Sequence, residues 1–161
     1  MMSQQFTLTS TLEKTANGYH FLIIPEETAQ QVIKEDNKRV KCVLNEDIVM
    51  HCQLNFSAAE GYKINISKRQ FKNLGLVAGS QVKVQIAHDD SPYQAPMPEE
   101  LQEVLDTDPE GFQRFQALTP GKQRSIIFKV AAGKSIDTRI NRSLKVMEKL
   151  KMGLTELKEL M

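Results

Sequence analysis

YKINISKRQFKNLGLVAGSQVKVQI, residues 62–86, sets the architecture of the first half of the chain. Ile64 and Ile66 alternate with Lys63 and Asn65, and Val82, Val84 and Ile86 alternate with Lys83 and Gln85. A two-residue period puts each apolar set on one face of a half-buried strand. Between the strands Ser67 is suited to cap a helix running to Leu74, with Phe71 and Leu74 on one side. Gly75 fits a left-handed helix stop, and Ala78-Gly79-Ser80 a turn into the next strand.

The same pattern stands 42 positions earlier without a gap. Ile24-Pro25 lies over Ile66-Ser67, Val32 over Leu74 and Val40-Lys41 over Val82-Lys83; Phe6, Leu8 and Leu12 fall over Ile48, Met50 and Leu54. A strand–strand–helix–strand unit of this size leaves its apolar face wet, so two copies are expected to cover each other. The expected fold is α+β. Residues 1–90 form a closed six-stranded β-barrel from two pseudo-twofold strand–strand–helix–strand repeats, residues 91–98 a Pro-rich linker, and residues 99–161 a small all-α bundle. Closure would remove exposed strand edges, and a monomer supplies both halves.

Residues 6–14 alternate apolar and polar, Asn17-Gly18 turns the chain, and residues 21–24 are a continuous apolar strand ended by Pro25. Residues 38–44 and 48–56 read as a hairpin about Asn45-Glu46-Asp47. In that register Cys42 faces Met50 rather than Cys52. Both thiols are expected inside as small apolar side chains, with no disulfide. His20, His51 and His88 stand singly on strands and are expected to be solvated. His51 and its neighbour Cys52 point to opposite faces and cannot act as a dyad.

The chain has 161 residues, 40% hydrophobic and 25% charged, with a net charge of +1. That describes an ordinary globular protein without strong whole-molecule attraction to nucleic acid or anionic membrane. No apolar run is long enough to span a bilayer, and the N-terminus lacks a signal-peptide pattern, so a cytoplasmic location is expected. No Ser-hydrolase, zinc-protease, P-loop or dinucleotide motif occurs. No enzymatic activity, metal or cofactor is expected.

After Asp89-Asp90-Ser91-Pro92 all strand signals cease. Helices are expected over residues 98–106, 109–118, 120–132, 136–152 and 154–160, begun by Pro98, Asp108-Pro109, Thr119-Pro120 and Ser135. Charge is segregated among them. Residues 99–110 hold six acidic and no basic side chains, whereas residues 122–151 hold nine basic and two acidic, a local balance of +7. On the fourth helix Ile136, Ile140, Leu144, Met147 and Leu150 are expected to form the buried stripe, with Arg142, Lys145 and Lys149 opposite. An anion site is expected where Lys134 and the Ser135 cap meet Arg139 and Arg142, with Thr138 and Lys145 beside them. Free amides at a helix start together with guanidinium forks suit phosphate or carboxylate. A solvated face balanced by the acidic helix is the alternative.

The segment with Asp108-Pro109, Phe115, Leu118-Thr119-Pro120 and Gly133-Lys134-Ser135-Ile136-Asp137-Thr138-Arg139-Ile140-Asn141-Arg142 resembles the bacteriocin-protection family named for YdeI and OmpD association. The family pattern of Lys, Glu-Thr-Arg and a following Arg is met by Lys134, Thr138, Arg139 and Arg142. Asp137 stands where Glu is usual, and Ala132-Gly133 where the helix commonly continues. Residues 6–86 resemble the domain of unknown function often fused ahead of that family. Ile24-Pro25 and Leu74-Gly75 with Gly79 are also similar to half-units of AbrB-like swapped-hairpin barrels. The first resemblance implies a binding or stress-tolerance module linked to bacteriocin and cationic-peptide protection, its partner an anionic small molecule or protein. The AbrB likeness implies nucleic-acid binding as the alternative. Ten basic and ten acidic residues in residues 1–90 argue against that alternative.

Overall fold

The computed structural model describes residues 3–161. Residues through Gln94 form one compact unit and Ala95–Met161 a second. The first unit runs β1 (Phe6–Lys14), β2 (His20–Ile24), α1 (Glu26–Val32), β3 (Arg39–Leu44), β4 (Ile48–Gln53), β5 (Asn55–Ser57), β6 (Gly61–Ile66), α2 (Lys68–Leu74) and β7 (Gln81–His88). Its strands lie in the order β4-β3-β7-β1-β2-β6-β5, every neighbouring pair antiparallel.

This is an open, seven-stranded half-barrel, which corrects the expected closed six-stranded barrel. The cause lies at Leu54. The segment expected as one strand changes partner there: the N–H of the fully buried Leu54 bonds the Lys38 carbonyl, one rung beyond Arg39–Gln53, and the next residue, Asn55, pairs with Lys63 of β6. β4 keeps β3 as its partner and the three-residue β5 keeps β6, so the two pieces become opposite edges of one sheet. β1 changes partner along its length instead. Phe6 to Thr11 pair with β7 and Leu12 to Lys14 with β2. The Ser10 hydroxyl donates to the Ile23 carbonyl (2.8 Å) at the changeover.

The alternating positions of the sequence fill the core: Leu12, Leu22, Ile24, Val40, Cys42, Leu44, Ile64, Val82, Val84 and Ile86 are all buried together. α2 has a reciprocal cap. Ser67 Oγ accepts from the Gln70 amide and the Gln70 side chain accepts from the Ser67 amide, satisfying two orphan donors. Gly75 ends the helix at φ 64°.

Two histidines expected in solvent are tied into this unit. His51 Nδ1 lies 2.7 Å from Asp89 Oδ2, and the two side chains are 9% and 1% exposed. Asp89 Oδ1 accepts from the Ser91 amide (3.0 Å) and hydroxyl (2.6 Å). His88 Nδ1 is 2.9 Å from the Val32 carbonyl. Ser91 to Gln94 form a turn rather than an open tether, and Gln94 Nε2 donates to the Asp89 carbonyl.

The second unit runs α3 (Glu99–Thr107), α4 (Pro109–Gln116), α5 (Pro120–Ala131), α6 (Ile136–Lys151) and α7 (Leu157–Leu160). Asp108, Thr119 and Ser135 each cap the helix that follows by accepting a backbone amide. α6 is the hub against which α3, α4, α5 and α7 all pack. A Cβ at Gly111 would stand 2.8 Å from Met147 Sδ and 2.7 Å from Asp108 Oδ2. Only glycine therefore lets α4 approach α6 this closely.

The buried face of α6 differs from the expected stripe. Ser143, Val146, Met147 and Leu150 are buried, whereas Ile136, Ile140 and Leu144 are 61%, 37% and 52% exposed. Positions four apart advance about 40° around a helix of 3.6 residues per turn, so the Ile136–Ile140–Leu144 row walks off the packed side. Val146, three residues after Ser143, takes the place Leu144 was expected to fill.

Burial alone would raise the Asp89 pKa, but the His51 contact and the two Ser91 hydrogen bonds overcome it and hold the carboxyl down at about 2. A depressed folded-state pKa stabilises fully above the unfolded value of about 3.9 and is lost as pH falls through the folded one. Acid unfolding should therefore steepen between about pH 4 and pH 2. Asp89→Asn is expected to flatten that limb and to cost about 1–3 kcal/mol at pH 7, read by urea denaturation at each pH.

Candidate functional site

The sequence placed an anion site at the turn from α5 to α6, and the structure brings those residues together there in a different role. α5 ends at Ala131, and its last carbonyls have no later helical amide to meet them. The Ala132 amide reaches the Phe128 carbonyl and the Gly133 amide the Val130 carbonyl. Arg142 Nη1 donates to the Lys129 carbonyl (2.7 Å), and Arg139 Nη1 to the Gly133 carbonyl (2.8 Å). Arg142 thus caps the end of the preceding helix, where a cation also opposes the dipole, and Arg139 ties down the turn just beyond it.

Arg139 is committed on its other edge too. Its Nε and Nη2 both lie 2.9 Å from Glu100 Oε1 on α3. The Glu100 carboxyl stays below its ordinary range, held first by its own backbone amide and then, against partial burial, by Arg139. A hollow of about 320 Å³ lined by Pro96, Pro98, Glu99, Glu100, Ala131 and Arg139 lies beside the pair. An anion entering it would meet two carboxylates, Glu99 and Glu100, and a guanidinium already engaged by Glu100.

Ser135 and Thr138 serve the helix start. Ser135 Oγ accepts from the Thr138 amide (3.1 Å) and donates to Thr138 Oγ1 (2.8 Å). A Cβ on Gly133 would press on Arg139 Cγ at 3.0 Å and Thr138 Cγ2 at 3.1 Å, so the glycine admits the returning arginine. Lys134 is exposed, away from these bonds. At the far end of α6, Lys151 pairs with Asp108 (2.8 Å), which lowers the Asp108 pKa and raises that of Lys151.

What remains is a second set of cations. Arg142, Lys145 and Lys149 follow one another along one side of α6, and the Arg142 bond brings Lys129 of α5 next to them. Among the described residues none of the four has a carboxylate within ion-pair distance. Arg142 and Lys145 were expected at the site; the meeting of Arg142 with the Lys129 backbone was missed, since only the folded turn brings the two together.

The helices from α3 to α6, with their capped turn and returning arginines, are the part of the chain that a family model matches. Residues 94–153 match the model of the bacteriocin-protection, YdeI or OmpD-associated family. Residues 8–86, the half-barrel, match a domain of unknown function. No curated protein and no solved structure matches the chain. In this chain the Arg of the Asp-Thr-Arg segment joins α3, the α5–α6 turn and α6, and its charge faces Glu100.

Because three donors on two guanidinium edges are used at once, lysine cannot replace Arg139. Both Arg139→Ala and Arg139→Lys are expected to lower stability by about 1.5–3 kcal/mol, measured by thermal or urea unfolding. Full stability in the lysine variant would show that a single point charge suffices.

Proposed function

We propose that this chain is a non-catalytic binding module of the bacteriocin-protection class that docks an anionic partner on the cationic side of α5 and α6. The observation that supports it is the group Arg142, Lys145 and Lys149 on one side of α6, with Lys129 of α5 adjoining through its carbonyl's bond from Arg142, none of the four with a carboxylate partner among the described residues. A solvated face kept for solubility alone would gain from interspersed signs. Lys134 and the Ser135 cap lie at the start of the same helix and extend the cationic region toward its N-terminus. The free thiols of Cys42 and Cys52 suit a reducing compartment, which favours the cytoplasm as the place of action.

An acidic protein segment fits this surface better than duplex nucleic acid. The half-barrel contributes no matching excess of positive charge, and lysines on a short helix present few points for a phosphate backbone to follow. Polyglutamate and a duplex DNA serve as the two probes. The full chain should bind polyglutamate, more weakly as salt rises, and Lys129→Ala/Lys145→Ala/Lys149→Ala should lose about tenfold or more in affinity, about 1.4 kcal/mol. Arg142 is left in place because it caps α5. Equal affinity of wild type and triple variant rejects the surface. Tighter binding of DNA, with a log–log salt slope of about 0.9 per phosphate neutralised, moves it to nucleic acid.

A further inference from the structure

Three sulfur side chains share the inner face of the β3–β4 hairpin. Cys42 stands directly opposite Met50 and Val40 directly opposite Cys52, so Cys52 lies on the diagonal from Cys42, on the same face as Met50. Cys42 and Met50 are core residues, and Cys52 is half-buried against the same cluster. Both thiols are free. We propose that Cys42 and Cys52, with the Met50 thioether alongside, bind one soft monovalent metal ion of the Cu(I) class.

The donor set and the offset both favour such an ion. Thiolates and thioethers select soft metals, Cu(I) among them. A structural zinc site needs four nitrogen or sulfur ligands, and among the described residues no three His, Cys, Asp or Glu side chains converge on one point. His51, between Met50 and Cys52 in the strand, turns to the other face and is taken by Asp89. A disulfide is disfavoured, because diagonal Cα atoms stand about 7–8 Å apart and a bridge needs about 7 Å or less. Two metal–sulfur bonds of about 2.3 Å each span roughly twice the length of an S–S bond of about 2.05 Å. A sulfur–metal–sulfur bridge therefore reaches where a disulfide does not, and half-buried Cys52 leaves a way in from solvent.

Binding is ligand exchange without oxidation. Each Sγ–H bond breaks as an Sγ–metal bond forms, two protons go to solvent, and the ion stays monovalent. Affinity should accordingly rise with pH.

The test is an anaerobic titration of the full reduced chain in thiol-free buffer, with Ag(I) as a redox-silent probe and Cu(I) in competition with a chromogenic chelator. One equivalent should bind, with a thiolate-to-metal ultraviolet band and release of two protons. Cys52→Ser, at a half-buried position where circular dichroism can confirm the fold, should weaken binding by at least about tenfold. Cys42→Ala should do the same. Failure of the wild type to take metal from the chelator, or Cys52→Ser binding as tightly as wild type, overturns the proposal.

Discussion

The helical unit depends on one constraint: α5 stops with carbonyls that no amide of its own can satisfy, and α6 must return to meet them. Arg142 does so at Lys129 while Arg139 holds the turn at Gly133, both from the first two turns of α6, and that choice fixes much else. It sets the angle at which α6 leaves the turn and leaves room at Gly133 only for hydrogen. It also draws Glu100 of α3 onto the far edge of Arg139. α3 is then tied near the start of α6 by Arg139 and at its end by the Asp108–Lys151 pair, whose carboxylate also caps α4. Bonds to charged partners at both ends hold a helix whose own buried surface is mainly Leu101 and Leu105.

A similar conflict of partners shapes the half-barrel. One segment of chain stands where two ladders end, and a strand has only two hydrogen-bonding edges. Leu54 is the point of handover: it buries its side chain and makes the last bond of the β3–β4 ladder, to Lys38, and Asn55 begins the ladder with β6. The sheet consequently keeps two ends. At one of them Phe56, 60% exposed, rests against Tyr62 with ring centroids 5.0 Å apart. The short length of β5 limits how much open edge is offered for pairing with another chain.

Much of this was legible in the residues. The two-residue period of Ile64 and Ile66, of Val82, Val84 and Ile86, and of Val40, Cys42 and Leu44 marks the core face, because a pleated strand leaves such rows no other place to go. The Ser67 cap and the Gly75 stop were equally plain, since each is settled within one turn of chain. What failed to show was settled over long separations. His51 looks solvated until Asp89, 38 residues later, is brought beside it. Closure of the barrel rested on pattern alone, and pattern is blind to a single residue such as Leu54 that changes its partner. On α6 an apolar row spaced by four was taken as the buried face, although such a row drifts and the neighbours decide where burial centres.

The arginines show how a motif read for charge can conceal a motif for capping. Lys, Thr, Arg and Arg in this spacing suit an anion, yet the same spacing lets two guanidinium groups fold back on the helix before. The carbonyls are nearer than any ligand and cannot diffuse away, so they take the first donors. Cations one or two turns further along, Lys145 and Lys149, lie beyond the reach of the α5 terminus and stay in solvent. In a helix that follows a short turn, position along the helix therefore separates structural from available charge. The first two turns belong to the preceding helix, and recognition of a partner falls to those after it.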